Sequence, residues 1–145
     1  MPKIQLDIVT AERQLVSEQV DYISAPGIDG VLGILPRHAP LLTALTPGEL
    51  HYTKDGTVYD FAIGGGFMEV RPDHVTVLAD SAEHVEEIDE QRAEQARERA
   101  QRLLKEKPRT DPEAALIEQS LRRAELRLKL ARRRRDHRRP GTGEG

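Results

Sequence analysis

The hydrophobic pattern of this chain changes period once, and that change limits the folds open to it. From Ile4 to about residue 84 apolar side chains recur at every second position: Ile4, Leu6 and Ile8, then Tyr59, Phe61 and Ile63, then Phe67, then Val75, Val77 and Ala79. Alternation over short runs puts one face of a strand in a core and the other in water. Turn-forming clusters punctuate the runs at 25–30 (APGIDG), 46–49 (TPGE), 54–56 (KDG), 64–66 (GGG) and 71–73 (RPD). Such close spacing leaves no room for crossover helices, so the front of the chain predicts an antiparallel β-sandwich or barrel.

Beyond about residue 84 the period becomes helical. Asp89, Ala93, Ala96, Ala100 and Leu103 step by four, three, four and three, and Ile117, Leu121, Ala124, Leu128 and Ala131 repeat the pattern. Two helices of roughly 28 Å and 36 Å follow, at 1.5 Å per residue. Between them Pro108 stops the first, Asp111 is placed to cap the second, Pro112 suits a first turn, and Thr110 with Glu113 has capping-box spacing. The short connection predicts an antiparallel hairpin. The expected fold class is therefore α+β: an N-terminal antiparallel β-sandwich (1–84), a C-terminal antiparallel two-helix hairpin (85–137) and a flexible tail (138–145). An alanine seam buries little area per position, so two readings stay open: a hairpin that docks and opens with conditions, or one permanently folded.

Charge follows the same division. Residues 1–84 carry five basic and twelve acidic side chains, whereas residues 85–145 carry 17 basic and 13 acidic, and ten of those basic side chains fall within 122–139. An acidic front and an Arg-rich back imply separate partners. Cysteine is absent, which excludes a disulfide framework and thiolate metal sites. The N-terminus has no signal-peptide pattern and no window reaches the ~20 apolar residues of a membrane span. Gly64–Gly66 lack the Lys and Ser/Thr of a phosphate loop and precede a strand pattern, so they read as a glycine-permitted turn or bulge between strands. The five histidines, at 38, 51, 74, 84 and 137, share no ligand spacing on one element, and no nucleophile, base and orienting acid come together. No catalytic residue and no metal site are expected.

Three stretches in this order, LGILPRHAPLL (32–42), IGGGFMEVRPDHVTVLAD (63–80) and EEIDEQRA (86–93), resemble the epsilon subunit of the bacterial F-type ATP synthase over roughly residues 3–135. The resemblance implies a non-catalytic central-stalk rotor subunit that couples proton flow to ATP synthesis. Its implied partners are the gamma subunit, the c-ring and the alpha and beta subunits, at the cytoplasmic face of the bacterial cell membrane, with the chain held peripherally. Leu35, Pro36, Arg37 and His38 fall where the sandwich of this family meets the rest of the rotor. From the residues alone, Gly33 and Pro36 mark a tight bend after which Leu41 and Leu42 return to the core.

The stretch EHVEEIDEQRA (83–93) has two readings. Glu86, Glu87, Asp89 and Glu90 suit the positive end of a helix, and Asp89 and Arg92 suit an i, i+3 pair, without any ligand. The resemblance instead implies that ATP acts as a regulatory ligand, no cofactor being required, at Glu83, Ile88, Asp89, Arg92 and Ala93 with Arg123, Arg127 and Arg134. Leu130 stands where nucleotide-binding members carry a further arginine. Arg122, Arg123, Arg127 and Arg132–Arg135 are the implied inhibitory contact with an acidic segment of the beta subunit. An alternative from another class is nucleic-acid binding by the same Arg-rich helix, although the acidic front half does not favour it.

Overall fold

In a computed structural model the described residues are 2–138, with side chains described through residue 134. The expected tail, Arg138 apart, and the side chain of Arg135 lie outside them. The chain divides into two units, Met1–His84 and Val85–Gly145.

The alternating runs of the first unit become eight strands. They are β1 (Ile4–Val9), β2 (Gln14–Val20), β3 (Tyr22–Gly27), β4 (Gly30–Ile34), β5 (Leu41–Lys54), β6 (Thr57–Val70), β7 (His74–Ala79) and β8 (Ala82–His84). Pairing runs β2-β1-β7-β6-β5-β3-β4, with β8 on β6. Ile4, Leu6, Ile8, Val75 and Val77 meet Ile23, Ile34, Leu50, Phe61 and Ile63 in the core, all fully buried. Each such aliphatic side chain contributes roughly 1.5–3 kcal/mol. The first unit is the expected sandwich with one departure: β1 and β7 are parallel, Gln5 opposite His74 through Val9 opposite Leu78. No crossover helix is needed, because the intervening strands are themselves the connection.

Two expected turns are instead the middle of strands. TPGE lies inside β5 and GGG inside β6, and the two 14-residue strands stay paired from Leu41↔Val70 to Lys54↔Thr57. At this corner burial changes phase, from Phe61 and Ile63 at odd positions to Met68 and Val70 at even ones. Phe67, expected on the core face, is therefore 57 % exposed. Gly65 and Gly66 have φ of 102° and 141°, open to glycine but rare for L side chains. A Cβ on Gly66 would drive into the Leu78 carbonyl on β7. The bend thus lets one pair of strands serve both layers. The other turns are as expected: Asp55 (φ 49°) and Gly56 (φ 84°) close a two-residue hairpin, and Arg71 and His74 bracket the β6–β7 turn.

The 35–40 bend is set by Arg37, whose φ is 68°, and not by Gly33, which lies within β4 opposite Ser24. Leu41 packs on the core, but Leu42 is 72 % exposed because neighbours on a strand face opposite ways.

A partly buried polar link ties β2 to β5. The Tyr52 hydroxyl donates to Glu18 Oε2 at 2.6 Å, and Lys54 Nζ reaches Glu18 Oε1 at 3.0 Å. The Tyr52 hydrogen bond, then the Lys54 ammonium, hold the Glu18 carboxyl below its ordinary range. Burial first, then Glu18, push the Tyr52 hydroxyl far above its own. A carboxyl depressed in the folded state stabilises it above the unfolded pKa, and that stability is lost as pH falls through the folded value.

Urea unfolding of Gly66→Ala should show a loss of about 3 kcal/mol or more, whereas Gly56→Ala, strained in φ but with open space, should lose about 1–2 kcal/mol. Equal losses would mean that the close approach at the corner is without effect. Glu18→Gln should lower stability at neutral pH and flatten the decline below about pH 4.5. An unchanged acid limb would sink the assignment of that decline to Glu18.

Candidate functional site

The helical unit begins with a 3₁₀ turn at Val85–Glu87, followed by α1 (Glu90–Glu106) and α2 (Pro112–Arg138). At 1.5 Å per residue these are about 26 Å and 40 Å long. The predicted seams face each other: Ala93, Ala100, Ala124, Leu128 and Ala131 are buried, with Ala96, Leu103, Ile117 and Leu121 half-buried. The alanines, which make up most of the α1 seam, let the backbones approach, but each contributes little burial energy. At the connection Asp111 Oδ1 accepts from the Glu113 backbone N–H at 2.9 Å, so Asp111 is the cap and the Thr110–Glu113 spacing is not what closes the helix start. Lys107 Nζ lies 2.8 Å from Glu113 and 3.7 Å from Asp111, and the Glu113 contact foremost raises its pKa.

Helix-start chemistry occupies the centre of EHVEEIDEQRA. Asp89 is the N-cap of α1, with Oδ1 accepting from the Arg92 backbone N–H at 3.1 Å. The two residues do meet, but through the Arg92 backbone and not as the expected side-chain ion pair. Ile88 and Ala93 are 4 % and 0 % exposed, so neither offers an open apolar surface in this arrangement. The Arg92 side chain points to solvent. Glu83 belongs to the first unit, half-buried on β8 opposite Ala62.

The antiparallel hairpin carries the end of α2 back to the start of α1. Arg132 Nε donates to Glu90 Oε1 at 3.2 Å and its Nη2 to Glu94 Oε2 at 2.5 Å. Arg134 Nη1 donates to the Val85 carbonyl, and Arg97 pairs with Glu94 one turn away on α1. These charge-assisted contacts are partly exposed, so each adds at most modest stability. Sequence reasoning did not single out Glu90 and Glu94 as partners of Arg132; only the hairpin's register places them together. Arg123 is not brought there. It lies nine residues before Arg132, about 14 Å along the helix, with Nη2 on Ser120 Oγ at 3.3 Å. Arg122 and Arg133 are exposed, Arg127 is half-buried, and Leu130, at 2 % exposure, leaves no room for a charged side chain.

In the first unit the expected interface residues form one loop. Leu35 is 60 % exposed, the Arg37 N–H donates to the Pro72 carbonyl at 2.7 Å, the His38 N–H donates to the Leu35 carbonyl at 3.2 Å, and His38 Nδ1 lies 2.7 Å from the Ala39 carbonyl. Anchoring on the β6–β7 turn holds Leu35 outward.

A sandwich with an outward apolar loop, followed in the chain by a hairpin closed by arginine–carboxylate contacts, has the build of a protein-interaction module. The family model for the β-sandwich domain of the ATP synthase delta/epsilon chain matches residues 3–85, and the model for the long α-helix domain of the same chain matches residues 86–132. An ATP synthase epsilon chain from Herpetosiphon aurantiacus is 56% identical over 133 residues, covering 92% of this chain and 97% of that one. Another from Dehalococcoides mccartyi is 54% identical over 137 residues, covering 94% and 98%. Among solved structures, a chain of the Euglena gracilis mitochondrial ATP synthase matches with a TM-score of 0.67 at 23% identity, covering 94% of this chain and 82% of that one. A chain of the Tetrahymena thermophila mitochondrial ATP synthase central stalk and c-ring matches at 0.61 and 18%, covering 89% and 96%. These two likenesses bear on the fold.

The chain belongs to the ATP synthase delta/epsilon chain family. It is accordingly a non-catalytic epsilon-type subunit of the synthase and not an enzyme by itself. None of these matches supports the nucleic-acid alternative. Among the described residues no helix is long and apolar enough to cross a membrane.

Replacing the Asp89 cap by Ala should cost about 1 kcal/mol in urea unfolding, and Asp89→Asn, which retains a capping oxygen, only a few tenths. A loss in the Asn variant equal to that in the Ala variant would show that the carboxylate's charge, rather than its capping hydrogen bond, is what the fold uses.

Proposed function

We propose that this chain rides on the rotor of a bacterial proton-translocating ATP synthase at the cytoplasmic face of the membrane. The sandwich holds the gamma subunit and c-ring, and the hairpin restrains ATP hydrolysis. Family membership supports the rotor role, and the exposed Leu35 loop supports a sandwich contact there. One observation carries the regulatory part: Arg132, which closes the hairpin on Glu90 and Glu94, belongs to the basic run that would attract an acidic segment of the beta subunit. A closed and an opened hairpin therefore compete for the same guanidinium groups. Opening costs only a thin alanine seam and partly exposed ion pairs, so a modest difference in partner affinity is enough to shift the balance. The attraction to the beta subunit weakens with salt.

ATP acts in this scheme as a regulatory ligand that favours the closed hairpin, meeting Arg92 and the Asp89 carboxylate, with Arg127 and Arg134 completing the set. The exposure of Arg92 and the convergence of α2 arginines on the start of α1 support it. Leu130 in place of an arginine, and Arg123 lying further along α2, point to weak affinity.

Two variants of the assembled enzyme should move ATP hydrolysis in opposite directions. Arg132→Ala, Arg133→Ala, Arg134→Ala should raise it by weakening the inhibitory contact. Glu90→Gln, Glu94→Gln should lower it by releasing the same arginines from the hairpin. Hydrolysis unchanged in both would sink the competition. Calorimetric titration of the isolated chain with ATP and Mg should give saturable binding that Asp89→Ala, Arg92→Ala abolishes, and absence of binding at millimolar ATP would remove the nucleotide from the scheme.

A further inference from the structure

Separate from the hairpin, the ladder of β5 and β6 collects a set of donor atoms that no single element shows. Glu49 and His51 are two apart on β5 and so share a face, and Asp60 on β6 is the direct cross-strand partner of His51. Their neighbours Leu50 and Phe61 are fully buried in the core, so this shared face is the opposite one. One donor atom from each of Glu49, His51 and Asp60 lies within 4.8 Å of the other two, and His51 Nδ1 is 3.6 Å from Glu49 Oε1. The site is empty. On the far side of His51 the Tyr22 ring lies with its centroid 6.4 Å away, limiting where the imidazole can turn. Glu83 on β8 lies opposite Ala62, itself opposite Glu49, and adds negative charge to the same face.

We infer that Glu49, His51 and Asp60 form a site for one first-row transition dication of the zinc type. Two carboxylates and a neutral imidazole bring two negative charges to a doubly charged ion, and three protein donors with a remaining position for water are a common arrangement for zinc. The imidazole selects against magnesium and calcium, which prefer oxygen donors. In a tetrahedral shell with metal–ligand distances of about 2.1 Å, donors sit roughly 3.4 Å apart. The backbone register already places the three residues together, so closing the set from its present spacing is a matter of about 1 Å of donor movement. Glu49 has other polar contacts in the folded chain, for which an ion would compete, so His51 and Asp60 are the anchoring pair. An ion held there would tie β5 to β6 on the N-terminal side of the Gly64–Gly66 corner of β6.

The competing account is His51 paired with Glu49 and no ion. Calorimetric titration of the full chain with zinc chloride in a non-coordinating buffer distinguishes them, with cobalt(II) absorption as a second readout. One saturable equivalent is expected, with a rise in melting temperature. His51→Ala and Asp60→Asn should each weaken it at least about tenfold. His74→Ala, at the separate Asp7–His74 pair, should leave it unchanged. No saturation up to millimolar zinc, or binding that survives His51→Ala, overturns the site. Because the rotor assignment rests on family membership and on the hairpin, neither result alters it.

Discussion

The pairing of β5 with β6 is the interaction on which the first unit depends. Thirteen residue pairs run from Leu41↔Val70 to Lys54↔Thr57, skipping only the Thr46–Gly65 position at a corner where the two strands bend together. One end of the pair hydrogen-bonds to β7 and the other to β3 and β8. The corner works because glycine alone accepts the φ of 141° at Gly66 with the Leu78 carbonyl against its α-carbon. It also inverts the phase of burial, which leaves Phe67 outward and puts Met68 inward. A side chain at that point would push β7 away from its ladder partner β6.

The second unit rests on weaker terms. A mostly alanine seam on α1 lets α2 come close while adding little buried area of its own, and the contacts that close the open end of the hairpin, Arg132 on Glu90 and Glu94 and Arg134 on the Val85 carbonyl, are only partly shielded from water. Neither the seam nor these contacts adds more than modest stability to the unit. Capping is alike at both helix starts: Asp89 and Asp111 each satisfy one backbone N–H that has no partner within the helix.

Legibility differed with the range of the interaction. The change of period at residue 84, the Lys54–Gly56 hairpin, the Pro108 break, the Asp111 cap and the facing alanine seams all follow from neighbours within a turn or two, and all appear in the structure. The corner was misread as turns because Gly and Pro signal a break in either case, and only the partner strand reveals that pairing continues through it. The parallel β1–β7 pair was unreadable for the same reason. In the helical unit, the residue types at Asp89 and Arg92 were legible, yet their contact runs through a backbone N–H, and Ile88 and Ala93 are closed rather than open.

By itself the sequence determined the two-part architecture, the helix boundaries to within a few residues and the family, because these depend on period, local capping and the order of motifs. Tertiary structure decided which arginine meets which carboxylate, that Gly66 is a corner and not a turn, and that Glu49, His51 and Asp60 share a face. The physical reason is that cross-strand and cross-helix register are set by the packing of the whole unit. Residues 38 positions apart, such as Glu94 and Arg132, become neighbours only once every turn between them has been closed.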